Sequence, residues 1–245
     1  MKLYVLPIPK DKLGRVRRAE RAFYIHAGHL RNELMMTLKI LKASINRPPE
    51  NKILTDLQVA QTFYLSRMLA GKIREGWDLI EKAYLDTELR STIEGYLSDE
   101  ARVAFAEVET YFSRKKNVIN TVRNRFAFHY DPSLIEKQLE IVDASDQLCV
   151  YIGEKEANIF YQMSEITASK AMLDAIQRDD FAAANRRLMS DVTVMSRHLI
   201  KFCDGCLLRM TDVYFGTDRT SLDPKEIEIE DVPSRHDIIL PFFTE

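Results

Sequence analysis

The chain has 245 residues, enough to bury a sizeable core as one large domain or two small ones. With 46% apolar and 29% charged residues it reads as globular, which excludes general disorder. A formal net charge of −2 excludes a global basic bias, so any nucleic-acid contact has to come from a local patch.

Eight Gly and eight Pro are few for this length and favour long helices over a turn-rich β architecture. The expected class is all-α, an antiparallel bundle of long helices with short irregular or extended terminal segments. Three cysteines, Cys149, Cys203 and Cys206, do not form a disulfide framework and suit a reducing compartment. The first residues, MKLYVLPIPK, are too short an apolar run for a signal segment and are broken by Pro7 and Pro9. No apolar run approaches the ~18–20 residues of a membrane span. A cytoplasmic protein without membrane contact is expected.

Residues 1–15 are expected to form an extended basic N-terminal segment, with Leu3 and Val5 alternating against Lys2 and Tyr4 before the prolines. A helical region is expected over 16–216. Its first long helix, about Val16 to Ile45, carries Phe23, Ala27, Leu30, Leu34, Leu38 and Leu41 at three- and four-residue steps. Pro48 and Pro49 end it. Thr55 with Gln58 fits a capping box for the second helix, whose stripe is Leu65, Leu69, Ile73, Trp77 and Ile80. Gly71 and Gly76 inside it each cost up to ~1 kcal/mol relative to Ala, which implies close approach of another helix.

Asp86 to Gly95 reads as a short helix or turn. Ser98 followed by Asp99 and Glu100 starts a third long helix, carrying Val103, Ala106, Val108 and Phe112. Asp131-Pro132 is a firm stop, and Ile135 to Val142 could be a short helix. Gln147 to Ile152 reads as strand or short helix before a turn at Gly153-Glu154. Helix is expected over Ile159–Ile176 and from about Asp179 to Gly216, a natural left-handed cap position. The last stripe is Leu188, Val192, Met195, Leu199, Phe202, Cys206, Met210 and Val213. Residues 217–245 are expected to form an extended acidic tail with an EIEIE alternation, and its Ile239, Leu240, Phe242 and Phe243 to pack on the body or on a partner.

The least bland polar cluster is NVINTVRNRFAFHYD, Asn117–Asp131. Between Glu109 and Asp131 there is no acid, while Arg114, Lys115, Lys116, Arg123 and Arg125 are present. Basic residues at a helix start oppose the dipole by ~0.3–1 kcal/mol, which invites a phosphate-bearing ligand as the reason. A solvated basic face is the equally weighted alternative. On an ideal helix Arg123 and His129 differ by ~240° about the axis and ~9 Å along it, so they share no strict face. They would converge on a ligand only through a frayed helix end or across a symmetric dimer. A His is the natural acid or base near neutral pH, and Arg offers a fixed fork of donors to phosphate oxygens. By the residues taken singly, His129 as a C-terminal helix cap and Arg123 paired with a neighbouring acid is the favoured reading. Glu75 and Asp78, on the polar side of the second helix, are the candidate acidic partners.

Cys203-Asp204-Gly205-Cys206 has CxxC spacing but no second ligand pair, and core packing is the better reading. His26 and His29 have no acid completing a metal set. No metal or cofactor is expected.

The run VRNRFAFHYD resembles the signature of the HEPN superfamily: an Arg, a polar residue after it, and a His separated from the Arg by four to six residues. Arg123, Asn124 and His129 fit, with five residues between Arg and His. The resemblance implies a helical bundle that dimerises with two motif helices facing each other, and a metal-independent endoribonuclease of the toxin–antitoxin or phage-defence kind. Attack of a ribose 2′-OH on the adjacent phosphate would use His129 as acid or base, Arg123 to stabilise charge on phosphorus and Asn124 to position groups. Arg114, Lys115, Lys116 and Arg125 would bind RNA phosphates. The implied partners are RNA, a second copy, and an antitoxin or regulatory protein. Tyr130 directly follows His129, whereas members paired with a nucleotidyltransferase have Tyr two positions after it. The alternative is a non-catalytic helical module that binds a nucleotide or a partner protein.

Overall fold

The computed structural model describes residues 1–46, 51–127, 132–140, 142, 148–216, 224–234, 237–238 and 240–241. Among the described residues the α-helices are α1 (Lys10–Arg15), α2 (Arg18–Ser44), α3 (Lys52–Ile80), α4 (Leu89–Ile93), α5 (Asp99–Ser113), α6 (Val118–Val122), α7 (Pro132–Glu140), α8 (Gln162–Ile176) and α9 (Phe181–Phe215). The strands are β1 (Lys2–Val5), β2 (Tyr151–Ile152), β3 (Ile159–Phe160) and β4 (Lys225–Glu228). The chain is all-α, with two antiparallel two-stranded ribbons, β1–β4 and β2–β3. No described helix is long and apolar enough to cross a membrane.

Two compact units form, and their segments interleave along the chain. The first takes Met1–Met35, Glu75–Arg114 and Met195–Ser234; the second takes Met36–Arg74, Lys115–Val194 and Arg235–Glu245. Helices α2, α3 and α9 each contribute residues to both units.

In the first unit the apolar steps of α2, α3, α5 and α9 supply an aromatic core. Tyr84 stands between Phe23 (5.7 Å), Phe105 (5.7 Å) and Phe202 (5.1 Å), and Phe105 stacks on Phe202 at 4.6 Å. Trp77 stacks on Phe112 at 5.1 Å. Such offset and edge pairs each add ~0.5–1.5 kcal/mol to the burial of the rings. Ser98 caps α5 as expected, its side chain accepting from the Ala101 amide at 3.3 Å. Gly216, φ +96°, closes α9 in the left-handed conformation that Gly adopts without a steric cost.

The second unit buries Leu57, Ala60 and Phe160 with Tyr151 against them, and α8 packs on α6 and α7. Ser66 Oγ lies 3.3 Å from Met189 Sδ, and Arg67 pairs with Glu165 at 3.4 Å. At the start of α9 the Asp180 side chain accepts from the Ala183 amide at 2.8 Å.

Several expectations need correction. Lys10–Arg15 is helical, so residues 1–15 are not extended throughout; Pro9 stands at the N-cap position, where its missing N–H costs nothing. The second helix starts at Lys52, and its cap is Asn51, whose Oδ1 accepts from the Ile53 amide at 2.7 Å; Thr55 Oγ1 donates back to the Asn51 carbonyl. The apolar face of α5 is Ala101, Ala104, Phe105, Val108 and Phe112, with Val103 and Ala106 exposed; at Ala101 the close approach of Gly205 leaves room for no more than a methyl. Val213 is exposed at the end of α9. Ile159–Phe160 is strand, leaving the helix to begin at Gln162. The acidic stretch Lys225–Glu228 is extended as expected and pairs with Lys2–Val5, Lys2 Nζ meeting Glu226 Oε1 at 2.6 Å.

Two intrahelical glycines in the first unit, Gly76 and Gly205, sit at close approaches. A Cβ on Gly76 would stand 2.8 Å from the end of the Leu30 side chain, and one on Gly205 would stand 2.5 Å from Ala101 Cβ. Leu30 can turn away; Ala101, held by its own backbone, cannot. Gly205→Ala is therefore expected to destabilise by about 1–2 kcal/mol, the overpacking cost exceeding the ~1 kcal/mol gain in helix propensity. Gly76→Ala should stay within about 1 kcal/mol of wild type in either direction. Urea unfolding midpoints of the two variants check the contrast.

Candidate functional site

The basic window begins in the bend after α5. Arg114, Lys115 and Lys116 are all exposed there, Arg114 in the first unit and the two lysines in the second. Asn117 then starts α6: its backbone is extended, φ −132° and ψ 163°, and its Oδ1 accepts from the Asn120 amide at 2.8 Å. Thr121 Oγ1 donates to the Asn117 carbonyl at 3.0 Å. Val118, Ile119 and Val122 turn inward, which fixes the polar face of α6 outward.

At Arg123 the helix changes. Arg123–Ala127 is a π-helical turn with i→i+5 hydrogen bonding, so the ideal α geometry expected for Arg123 and the residues after it does not apply. Turns of this kind are rare and recur at functional sites. Arg123 is half-buried, with its Nε inside, and its Nη1 donates to Asn124 Oδ1 at 3.3 Å. Asn124 and Arg125 are exposed, the Arg125 guanidinium 6.0 Å from the Phe126 ring centre. His129 lies outside the described residues, as do Phe128, Tyr130 and Asp131.

Arg74, at the last position α3 gives to the second unit, donates from Nη1 to Asn120 Oδ1 at 3.3 Å. Asn120 and Asn124 are four residues apart, and each holds a guanidinium. Sequence reasoning missed Arg74 and Asn120. The i, i+4 repeat of asparagines was visible, but Arg74 lies 46 residues away from its partner. Glu75 is exposed and Asp78 half-buried, both in the first unit, whereas Arg123 belongs to the second.

A second polar constellation lies where β2, α3 and α8 meet. Asp56 Oδ2 accepts from Lys52 Nζ (3.0 Å), Tyr151 Oη (3.1 Å) and Gln162 Nε2 (3.3 Å). Gln162 is buried, and its Oε1 accepts from the backbone N–H of Cys149 at 3.2 Å and from its Sγ at 3.4 Å. The Tyr151 phenol is held above its ordinary value, first by its hydrogen bond with Cys149, then by burial and the Asp56 carboxylate. It is a neutral donor at physiological pH. A cavity of about 230 Å³ opens beside this network, with Val59, Phe63 and Leu173 among its apolar walls. The sequence offered no motif here, because the five residues come from α3, β2, α8 and the stretch before β2.

Cys203 and Cys206 are buried in α9, as core packing requires. Burial, and after it Asp204, pushes the Cys203 thiol up to about 12, and burial pushes Cys206 well up. Neither is a nucleophile at neutral pH. Among the described residues no group of three or more His, Cys, Asp or Glu side chains is placed to hold a metal ion. No known protein family, curated protein or solved structure matches the chain.

The two polar features make different demands on stability. Asp56→Ala would leave the Gln162 amide and the Tyr151 hydroxyl without their acceptor, an expected loss of about 1–3 kcal/mol. Lys52→Ala removes only an exposed ion pair and should change stability by less than about 1 kcal/mol. Asn117→Ala, which removes the α6 cap, should cost about 1 kcal/mol, with Asn117→Ser restoring most of it. Denaturant midpoints of the four variants test these values.

Proposed function

We propose that this chain is a HEPN-like, metal-independent endoribonuclease that works in the cytoplasm as a homodimer and is controlled by an antitoxin or regulatory protein. The observation that carries the reading is the π-turn at Arg123–Ala127, which departs from α geometry within the Arg-Asn…His motif itself. Irregular helix of this kind is retained where it aims side chains, and here it begins at the motif arginine. The acid-free window adds exposed cations, Lys115, Lys116 and Arg125, in the same unit as Arg123.

In the proposed reaction a ribose 2′-OH attacks the adjacent phosphorus and the 5′-oxygen leaves. The products are a cyclic phosphate and a free 5′-hydroxyl. His129 takes the proton from the attacking hydroxyl or gives one to the leaving oxygen. Arg123 stabilises the added negative charge on the phosphoryl oxygens, and Asn124, already bonded to Arg123 Nη1, holds that guanidinium in orientation. Dependence on the 2′-OH restricts the substrate to RNA.

Purified protein incubated with total RNA in EDTA should cut it, leaving 5′-hydroxyl ends. His129→Ala should lower the rate by about 10²–10⁴-fold, and Arg123→Ala by about 10²–10³-fold. Intact RNA with the wild-type protein, or equal cutting by His129→Ala, would defeat the proposal. Salt-sensitive RNA binding without cleavage would instead favour a non-catalytic binding module.

A further inference from the structure

On the second unit an apolar groove of about 530 Å³ runs between α3, the exit of β3 and the start of α8. Tyr64 and Leu65 form one wall, and Ile159, Phe160 and Tyr161 the other. Tyr64 and Tyr161 are more than half exposed, at 54% and 57%, so the groove presents aromatic rims of the kind that hold an extended apolar peptide.

This chain supplies such a peptide. Leu240 already lines the groove, and the carbonyl of Ile238, two residues earlier, accepts from Asn46 Nδ2 at 3.1 Å. One backbone anchor and one side chain at the groove, Leu240, still partly exposed, therefore bring the segment to the site. The sequence around Leu240 is Asp-Ile-Ile-Leu-Pro-Phe-Phe, residues 237–243. Pro241 biases Leu240 to extended backbone and fixes its own φ, which lowers the entropy lost on docking. The flanking apolar residues, with only Asp237 charged, match the lining.

We propose that this groove is a recognition surface for an apolar peptide built around Leu-Pro, and that the chain's own Leu240 segment occupies it in cis. The groove is separate from the Arg123 window, and the inference does not depend on the ribonuclease reading. Its occupant would be displaced by any partner that offers a stronger apolar peptide of the same kind.

The full-length protein should bind the dye 8-anilinonaphthalene sulfonate weakly. Leu240→Asp, and separately Phe242→Asp with Phe243→Asp, should raise dye fluorescence several-fold while far-UV circular dichroism stays unchanged. A synthetic peptide of residues 237–245 should reverse the rise, and the same peptide carrying Leu240→Asp should not. Equal dye binding by wild type and folded variants, or failure of the peptide to compete, overturns the proposal. Should the variants unfold, a benzophenone photo-crosslinker at position 243 of the otherwise unchanged chain decides. Crosslinks within one chain to the segments holding Tyr64 or Tyr161 support docking in cis. Crosslinks elsewhere, or between two copies, overturn it.

Discussion

In the first unit α9 comes within van der Waals range of α5 where Gly205 faces Ala101, and the surrounding arrangement depends on that approach. With no side chain at 205 and only a methyl at 101, the two backbones draw together. Phe105, one turn beyond Ala101, and Phe202, one turn before Gly205, can then stack at 4.6 Å. Tyr84 meets both rings edge-on, and Phe23 stacks on its other side. A larger residue at 205 would push α9 outward and open a gap among four rings whose attraction falls steeply with separation. The polar contacts around it, such as Arg31 with Asp204 at 2.9 Å and Lys201 with Glu100 at 2.5 Å, are half-exposed or exposed and contribute little to stability.

That dependence explains which parts of the fold were legible. Stripes of large residues, Leu65 to Ile80 and Leu188 to Met210, were read correctly because bulk at helical spacing is what a buried face looks like. The α5 face was read correctly at Val108 and Phe112 and misread at Val103 and Ala106, because a helix that meets a glycine at Ala101 needs smallness there rather than bulk. The start of α3 was misplaced because Thr55 with Gln58 satisfies the same local pattern as a true cap. Asn51 wins since its carboxamide reaches the Ile53 amide two residues on. The β1–β4 ribbon joins residues from Val5 with Lys225 to Lys2 with Glu228, almost the whole chain apart, and no local signal carries a pairing of that separation.

The candidate site divides in the same way. The acid-free window, Arg123 and Asn124 were legible because they are contiguous in sequence, and Lys115, Lys116, Arg123, Asn124 and Arg125 fall in one unit. On the helix face that carries Glu75 and Asp78, Arg74, one residue before Glu75, also reaches α6, through Asn120. The Asp56 network was invisible for the opposite reason. Its residues are individually ordinary, and only tertiary structure assembles them around one carboxylate oxygen.

Two π-turns, Glu81–Leu85 and Arg123–Ala127, connect these observations. Each continues a helix directly, α3 and α6, and each carries a polar side chain turned partly or wholly inward. In the first, Tyr84 is fully buried among rings, and its hydroxyl has no hydrogen-bond partner among the described residues. Burial accordingly raises its pKa, with Cys206 and Glu94 adding to the shift and Arg90 opposing it. Leaving a buried hydroxyl unsatisfied costs about 1–3 kcal/mol, a penalty a phenylalanine would avoid. The packing of three rings on Tyr84 can offset that cost, so the first turn is accounted for by core geometry. In the second turn Arg123 is half-buried with its Nε inside, while Nη1 reaches exposed Asn124. The two turns thus bring different chemistry inward: a core ring at Tyr84, and part of a cation at Arg123, where the irregularity falls inside the acid-free stretch between Glu109 and Asp131.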